Sequence, residues 1–483
     1  MWYASSGINH VWPLAWLAPV PLLVVLPELK GLRAALAAFA APAIGAASLV
    51  VAYWGALPPA MLALAVVAAA APWTVVALAW RSIALRTGPV TTSLAYAALV
   101  ALEEYVVSQV SPNGTFGSLA YTQADVLALV QLASVTGIWG ITFVVSLCSA
   151  ALAVMWRVRD SRYAREAAFG VAALAAAAAL VFGDLRLAAP APSTIVRVGL
   201  AASDTSNRPF AENGNDALRV ARGYAARVAT LASRGLQYVV LPEKFVAVRP
   251  PDDYGVRVAL ASAARRWHTT VVAGLNAAGE TPPHNIAAVF GPDGRTLLDY
   301  DKVHLVPGLE DGYYHGSVPG VLPDTVLTAG VAICKDLDFV PTGLGYARAG
   351  VALLLVPAWD FGADGWLHSR MAVLRGVEGG YAVARAASDG RLTVSDARGR
   401  VVAERASDEA SEVLVSAGVR VATGGTFYSR TGDWFALLCL VASVGCALAA
   451  RRRGASGAEA GPGPGGAAAS GQRTTRDRQP LPR

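Results

Sequence analysis

Residues 11–28, 34–56, 60–80, 89–110, 138–156, 166–187 and 434–450 are poor in charge and rich in Ala, Leu, Val and Trp. Each comes near the ~20 apolar residues that a helix needs to cross a hydrocarbon core. One such run could be a buried helix of a soluble domain. Seven in series, with Pro, Gly or basic residues in the breaks, predict a multi-span membrane protein. Composition agrees, since 54% of the 483 residues are hydrophobic and only 15% charged, too oily for an ordinary soluble chain.

The placement of Lys and Arg sets the expected orientation, because short basic loops stay on the cytoplasmic side. Lys30 and Arg33 separate the first two stretches, Arg81 and Arg86 the third and fourth, and Arg157, Arg159, Arg162 and Arg165 the fifth and sixth. No Lys or Arg occurs in residues 1–29, 34–80 or 87–156. This alternation predicts that the N-terminus and the region 194–428 lie outside the cytoplasm, with Arg451, Arg452 and Arg453 inside. Topology accounts for the net charge of +6, and no nucleic-acid partner is expected. The first stretch lacks a basic leader and reads as a retained span. The expected organisation is a membrane domain over 1–190 with about six helices, a catalytic domain over 191–430, a last helix over 431–450 and a disordered cytoplasmic tail over 451–483.

Between 194 and 428 the chain alternates β-prone and helical runs. "TIVRVGLAA", "YVVLPE", "TTVVAGLNA", "NIAAVFG", "TVLTAGVAICKD" and "VALLLVPAWDF" read as strands. Helices are expected over 211–233, near 255–267 and in "WLHSRMAVLRGVEGGY". The class is α/β with mixed sheets. No P-loop, dinucleotide fingerprint or paired-cysteine metal pattern occurs, so neither a cofactor nor a metal site is expected.

Three polar residues stand at the ends of strand-like runs: Glu243 in "YVVLPEKF", Lys302 in "LLDYDKVHLVP" and Cys334 in "GVAICKDLDF". Cys148, Cys439 and Cys446 fall inside apolar stretches, which leaves Cys334 alone in a disulfide-permissive compartment. Chemically the three form a set. A thiol is little ionised at neutral pH and needs a carboxylate to take its proton, and a fixed ammonium can hold an oxyanion. Glu103 and Glu104, near the end of a span, are functional candidates because an ionisable group is costly there. His304 reads as a packing residue, and Asp360 and Asp364 as residues that shape a loop.

The order Glu, Lys, Cys in "LPE", "DKVHLVPGLE" and "VAICKD" resembles the nitrilase, or carbon–nitrogen hydrolase, superfamily. Preceding spans and one following span make the whole similar to the apolipoprotein N-acyltransferase family. "WPLAWLAPVPLL", "LEEYVVSQVSPNGTFGSLAYTQ" and "LVQLASVTGIWGITFVVSL" resemble its membrane segments. Seven spans are one fewer than that family's usual eight. The resemblance implies an αββα sandwich attached to an α-helical membrane domain in a bacterial inner membrane. It implies Glu243 as general base, Lys302 as oxyanion-stabilising cation, Cys334 as nucleophile and Glu310 as a supporting carboxylate. It further implies a phospholipid acyl donor, a thioester on Cys334 and a diacylated lipoprotein amine as acceptor. Lys335 and Asp336 stand where the family has an aromatic residue and a glutamate, and with Trp359 they are expected to contact substrate. "PAWDFG" is closer to soluble amidases. Two other readings therefore stay open at this point: a membrane-tethered amidase, and a catalytically inactive envelope scaffold.

Overall fold

The computed structural model describes residues 1–459 apart from residues 6, 204–213, 250–251 and 323–326. Among the described residues, six helices are long and apolar enough to cross a membrane: Gly31–Ala52, Pro59–Ala84, Pro89–Val110, Ile138–Arg157, Arg162–Ala188 and Trp434–Arg453. The first apolar stretch departs from the expected span. It forms two short helices, Trp12–Leu17 and Val20–Val25. Pro19 and Pro27 explain the difference, since each follows a helical turn that it crowds and supplies no N–H to continue, while Pro13 and Pro21 sit in the first turns of the two short helices, where proline is tolerated. Arg81 fastens the end of this broken segment by donating to Leu26 O at 3.0 Å and Leu29 O at 2.5 Å. The last helix, Trp434–Glu459, runs past the triple arginine and so past the expected boundary at 450. Residues 460–483 of the expected disordered tail lie outside the described residues, as do residues 211–213 of the expected helix over 211–233.

The catalytic domain is built on two mixed sheets. The first contains Ile195–Ser203 (β1), Tyr238–Val240 (β2), Val246–Val248 (β3), Thr270–Ala277 (β4), His284–Phe290 (β5), Thr296–Asp301 (β6) and, at its far edge, Glu412–Arg420. Its order is Glu412–Arg420, β1, β2, β4, β5, β6, with β3 also paired to β4. The second sheet contains Gly320–Leu322 (β7), Ala329–Val331 (β8), Leu353–Trp359 (β9), Ala382–Ser388 (β10), Arg391–Ser395 (β11) and Val401–Ala406 (β12), paired in that order.

Alternating side chains explain why the sheets stack. Val196, Val198, Leu200 and Ala202 of β1, with Ala287 and Val289 of β5, face the second sheet. Ile286, Ala288 and Phe290 face outward instead, against helices Gly214–Ala232 and Asp252–Trp267. This period of two is what a strand buried on both faces requires. On the other side, helix Gly365–Gly379 turns Ala372 toward the second sheet. It turns Trp366, Leu367, Met371, Leu374 and Val377 toward Ile138, Trp139 and Tyr121 of the membrane domain. One helix is thus shared by the sandwich and the membrane helices.

Candidate active site

Strand ends bring the acid, the cation and the thiol together. Glu243 follows β2, where Glu243 N donates to Ala358 O at 3.1 Å and Gly274 N to Pro242 O at 3.1 Å. Gly274 is obligatory, since a Cβ there would lie 2.3 Å from Pro242 O. Lys302 follows β6, and its backbone N donates to Asn285 O at 2.9 Å. Cys334 was expected at the end of a strand, but β8 stops at Val331, and Cys334 opens the 3-10 turn Cys334–Asp338 with φ of +40°. A non-glycine residue holds that left-handed conformation only where its surroundings impose it.

The charges alternate in a closed cluster. Lys302 Nζ donates to Glu243 Oε1 at 2.8 Å and to Glu310 Oε2 at 2.9 Å, and all three side chains are at most 2% exposed. Asn285 Nδ2 bridges Glu243 Oε1 at 2.6 Å and Glu310 Oε1 at 2.8 Å. Glu310 also accepts from Lys244 Nζ at 2.5 Å and Val306 N at 2.9 Å. Four donors therefore saturate Glu310. Burial alone would raise its pKa, but Lys302 and Lys244 outweigh burial and bring it down to about 2. Both hydrogen bonds to Glu243 end on Oε1, which leaves Oε2 available to a proton. Burial and the neighbouring Glu243 charge push the Cys334 thiol well above its ordinary value, against the pull of Lys302. Its Sγ donates to Trp359 O at 3.4 Å.

The residues after the cysteine have partners other than substrate. Asp336 is fully buried and accepts from Ile333 N, His304 N, Val303 N and Tyr300 Oη at 2.8 to 3.1 Å. Burial raises its pKa to about 6 in spite of these bonds. Asp336 is expected from the sequence to contact substrate; in the fold its carboxylate ties the cysteine turn to the lysine loop, with two donors on each oxygen. Lys335 Nζ donates to Asn113 Oδ1 at 2.8 Å and lies 3.5 Å from Asp338 Oδ2. Its geometry links the turn to the membrane domain. Trp359 presents its carbonyl to Cys334 and its indole N–H to Asp389 Oδ2 at 2.9 Å. His304 stacks on Phe339 with ring centroids 3.6 Å apart.

The membrane loop 111–118 grips the same turn from the other side. Thr115 N and Oγ1 both donate to Asp338 O, at 2.9 and 2.7 Å. Gly114 has φ of +53°, and a Cβ there would sit 2.5 Å from that oxygen. Buried Arg375 donates to Leu337 O at 3.0 Å, to Thr115 Oγ1 and to Tyr121 Oη, and pairs with Glu378. Glu378 in turn accepts from Ile138 N at 3.0 Å, capping a membrane helix whose N-terminus favours negative charge. Glu104, a functional candidate from its place in a span, holds the loop end through Ser118 Oγ, Leu119 N and Thr142 Oγ1.

Residues 1–151 match the family "Apolipoprotein N-acyltransferase N-terminal domain", and residues 199–425 match "Carbon-nitrogen hydrolase". An apolipoprotein N-acyltransferase of Geobacter metallireducens is 27% identical over 373 residues, covering 70% of each chain. One of Gloeobacter violaceus is also 27% identical, over 70% of this chain and 69% of that protein. Over most of its length the chain is similar to apolipoprotein N-acyltransferases. Among solved structures, an amidase from Nesterenkonia sp. is 20% identical, covers 49% of this chain and 92% of its own, and has a TM-score of 0.40. The present chain is an acyltransferase with a carbon–nitrogen hydrolase domain carried on membrane helices.

Sequence reasoning passed over Lys244, Asn285 and a buried charge cluster beside the turn. Asp360 and Asp364, read as loop-shaping residues, form buried ion pairs. Arg385 binds Asp360 through two nitrogens, at 2.8 and 2.5 Å. His368 lies 3.3 Å from Asp364 Oδ2 and 3.7 Å from Asp338 Oδ1, and Tyr53 Oη donates to Asp364 at 2.6 Å. Burial disfavours the imidazolium, but Asp364 and Asp338 outweigh it and raise the His368 pKa from 6.5 to about 10. Folded His368 therefore keeps its proton where the unfolded chain releases it. The stabilisation is full below pH 6.5 and is lost as pH rises toward 10. Thermal unfolding in detergent should show the melting temperature falling across that window, and His368→Gln should flatten the fall. An equally steep fall in the variant would remove His368 as its source.

Proposed function

We propose that this protein transfers an acyl chain from a membrane phospholipid, through a thioester on Cys334, to the α-amine of a diacylglyceryl-cysteine lipoprotein. The observation that carries this reading is the docking of the cysteine turn on a membrane loop, through Asn113 to Lys335 and Thr115 to Asp338. A soluble amidase has no need of that arrangement. An enzyme whose donor and acceptor are both anchored in a bilayer gains from it, because confinement at one surface brings the reacting groups together.

The chemistry follows from the cluster. Glu243 Oε2 takes the thiol proton as Cys334 Sγ attacks the ester carbonyl carbon. Lys302 uses two of its three N–H groups on carboxylates, and the third is available for the oxyanion. As the ester C–O bond breaks, Glu243 returns the proton to the departing lysophospholipid oxygen. The neutral amine then attacks the thioester and loses a proton to Glu243. The sulfur leaves and is reprotonated. Because burial holds the resting thiol neutral, proton removal accompanies attack instead of preceding it. Glu310, saturated by four donors, is suited to hold Lys302 and unsuited to accept a proton.

Orientation belongs to the same proposal. The catalytic domain touches the membrane part through Tyr53, Asn113, Thr115, Tyr121 and Trp139, which lie in segments without Lys or Arg. The basic loops are elsewhere, so positive charge favours the inner-membrane topology with the catalytic domain outside the cytoplasm. Incubating the purified protein with phospholipid vesicles should yield an acyl adduct on Cys334 by mass spectrometry, discharged by a diacylated lipopeptide and absent in Cys334→Ala. No adduct would sink the proposal, and discharge only to water would indicate a hydrolase.

A further inference from the structure

The cluster contains a second ammonium that the chemistry above leaves without a role. Lys244 directly follows the proposed base, and its side chain is only 10% exposed. Its Nζ donates to Glu310 Oε1 at 2.5 Å and lies 5.2 Å from the ring centroid of Tyr313 and 5.7 Å from that of Trp359. The backbone at Lys244 has φ of +46°, the left-handed region that a lysine enters only under constraint. The constraint is visible on both sides: Glu243 N is bound to Ala358 O and Phe245 N to Gly274 O, each at 3.1 Å. The turn so formed sends the side chain of Lys244 to Glu310 and into the wall of the site.

Glu243, Lys302, Glu310 and Lys244 therefore alternate in sign along one hydrogen-bonded chain. With Lys244 the four side chains sum to zero, and without it they would sum to −1. The difference falls on Lys302. An unpaired Glu310 would hold that ammonium more tightly and would face the developing sulfur and oxygen anions with an unbalanced negative charge. We propose that Lys244 is a positioning residue for acyl transfer, which neutralises Glu310 and thereby leaves Lys302 free to stabilise the oxyanion. For its chemistry this rests on the acyl-transfer reading. The electrostatic part concerns the Cys334 thiol alone and can be measured without any lipid.

The test uses the full-length protein in detergent, as wild type and as Lys244→Met, Lys244→Gln and Lys244→Arg. Two readouts are taken: the pH midpoint of Cys334 alkylation by iodoacetamide, followed by peptide mass spectrometry, and kcat and KM for transfer from phospholipid to a diacylated lipopeptide. Loss of one nearby positive charge should raise the alkylation midpoint by about one pH unit in Lys244→Met and Lys244→Gln. It should lower kcat about tenfold with KM within about twofold, because the interaction matters only as charge develops. Lys244→Arg should restore most of both. Lys244→Gln can still donate to Glu310 and keeps the test readable if the methionine variant does not fold. A wild-type midpoint and kcat in the glutamine variant would overturn the proposal. So would a raised KM with unchanged kcat, which would make Lys244 a substrate contact. Absence of any acyl adduct in the wild type would instead refute the acyl-transfer reading, and the alkylation midpoints would still judge Lys244.

Discussion

Lys302→Met is expected to abolish acyl transfer and to destabilise the catalytic domain in the same stroke. Lys302 is 1% exposed and sits between two carboxylates that are themselves buried. Burial works against its charge, yet Glu243 and Glu310 outweigh burial and hold its proton far more firmly than an ordinary lysine would. Methionine fills similar space without the ammonium. It leaves Glu243 with only the Asn285 amide as a donor, while Glu310 keeps Lys244. Removing one partner of a buried ion pair costs about 3–5 kcal/mol, because the remaining charge is stranded. Losing an oxyanion donor costs about 10²- to 10³-fold in rate. Thermal unfolding and thioester formation on Cys334 measure the two effects separately. Adding Glu310→Gln to Lys302→Met should recover part of the stability and none of the transfer, a non-additive result expected of side chains in one network. Normal turnover in Lys302→Met would remove this residue from the mechanism.

That cluster was only partly legible in the sequence, and the reason is topological. Glu243, Lys302 and Cys334 each end a β-prone run, so residue type and position could be read locally. Asn285 is the second residue of β5, in "NIAAVFG", and nothing in its own neighbourhood shows that it bridges two glutamates. The bridge depends on β5 pairing with β4 on one side and β6 on the other, as Asn285 stands opposite Asn276 and Lys302 follows β6 directly. Lys244 was hidden differently, since an acid followed by a lysine reads as a solvated pair until the left-handed turn shows where the ammonium goes. The internal ties of Asp336 were hidden for a related reason. Its four donors come from the cysteine turn, the lysine loop and Tyr300, and no local pattern announces a carboxylate used as a staple.

The membrane part separates in the same way. Apolar length and the placement of Lys and Arg are local quantities, and five of the six N-terminal stretches form helices of spanning length. The first does not, because Pro19 and Pro27 interrupt it. The contact between Gly114 and Asp338 was out of reach, because it joins residues more than two hundred positions apart.

Glu243→Gln is expected to cut acyl transfer while making the Cys334 thiolate easier to form. Glutamine keeps an oxygen that can accept from Lys302, but it cannot take a proton at neutral pH. Acyl transfer should therefore fall by about 10²- to 10⁴-fold, the usual worth of a positioned base. The Glu243 charge is also, after burial, the chief cause that raises the Cys334 thiol. Removing it leaves Lys302 and Lys244 facing Glu310 alone, so the thiolate becomes easier to form. The alkylation midpoint of Cys334 should then shift to lower pH even as transfer collapses. Glu310→Gln is the contrasting change. It removes the anion that shares Lys302 but leaves the proton acceptor in place, and transfer should fall less than in Glu243→Gln. A variant that had merely lost its fold would expose Cys334 and lose transfer, but its midpoint would approach that of an ordinary free thiol and its melting transition would vanish. A folded Glu243→Gln protein with normal transfer would assign the base to another group. One with reduced transfer and an alkylation midpoint raised above wild type would show that the charge of Glu243 acts on the sulfur with the opposite sign.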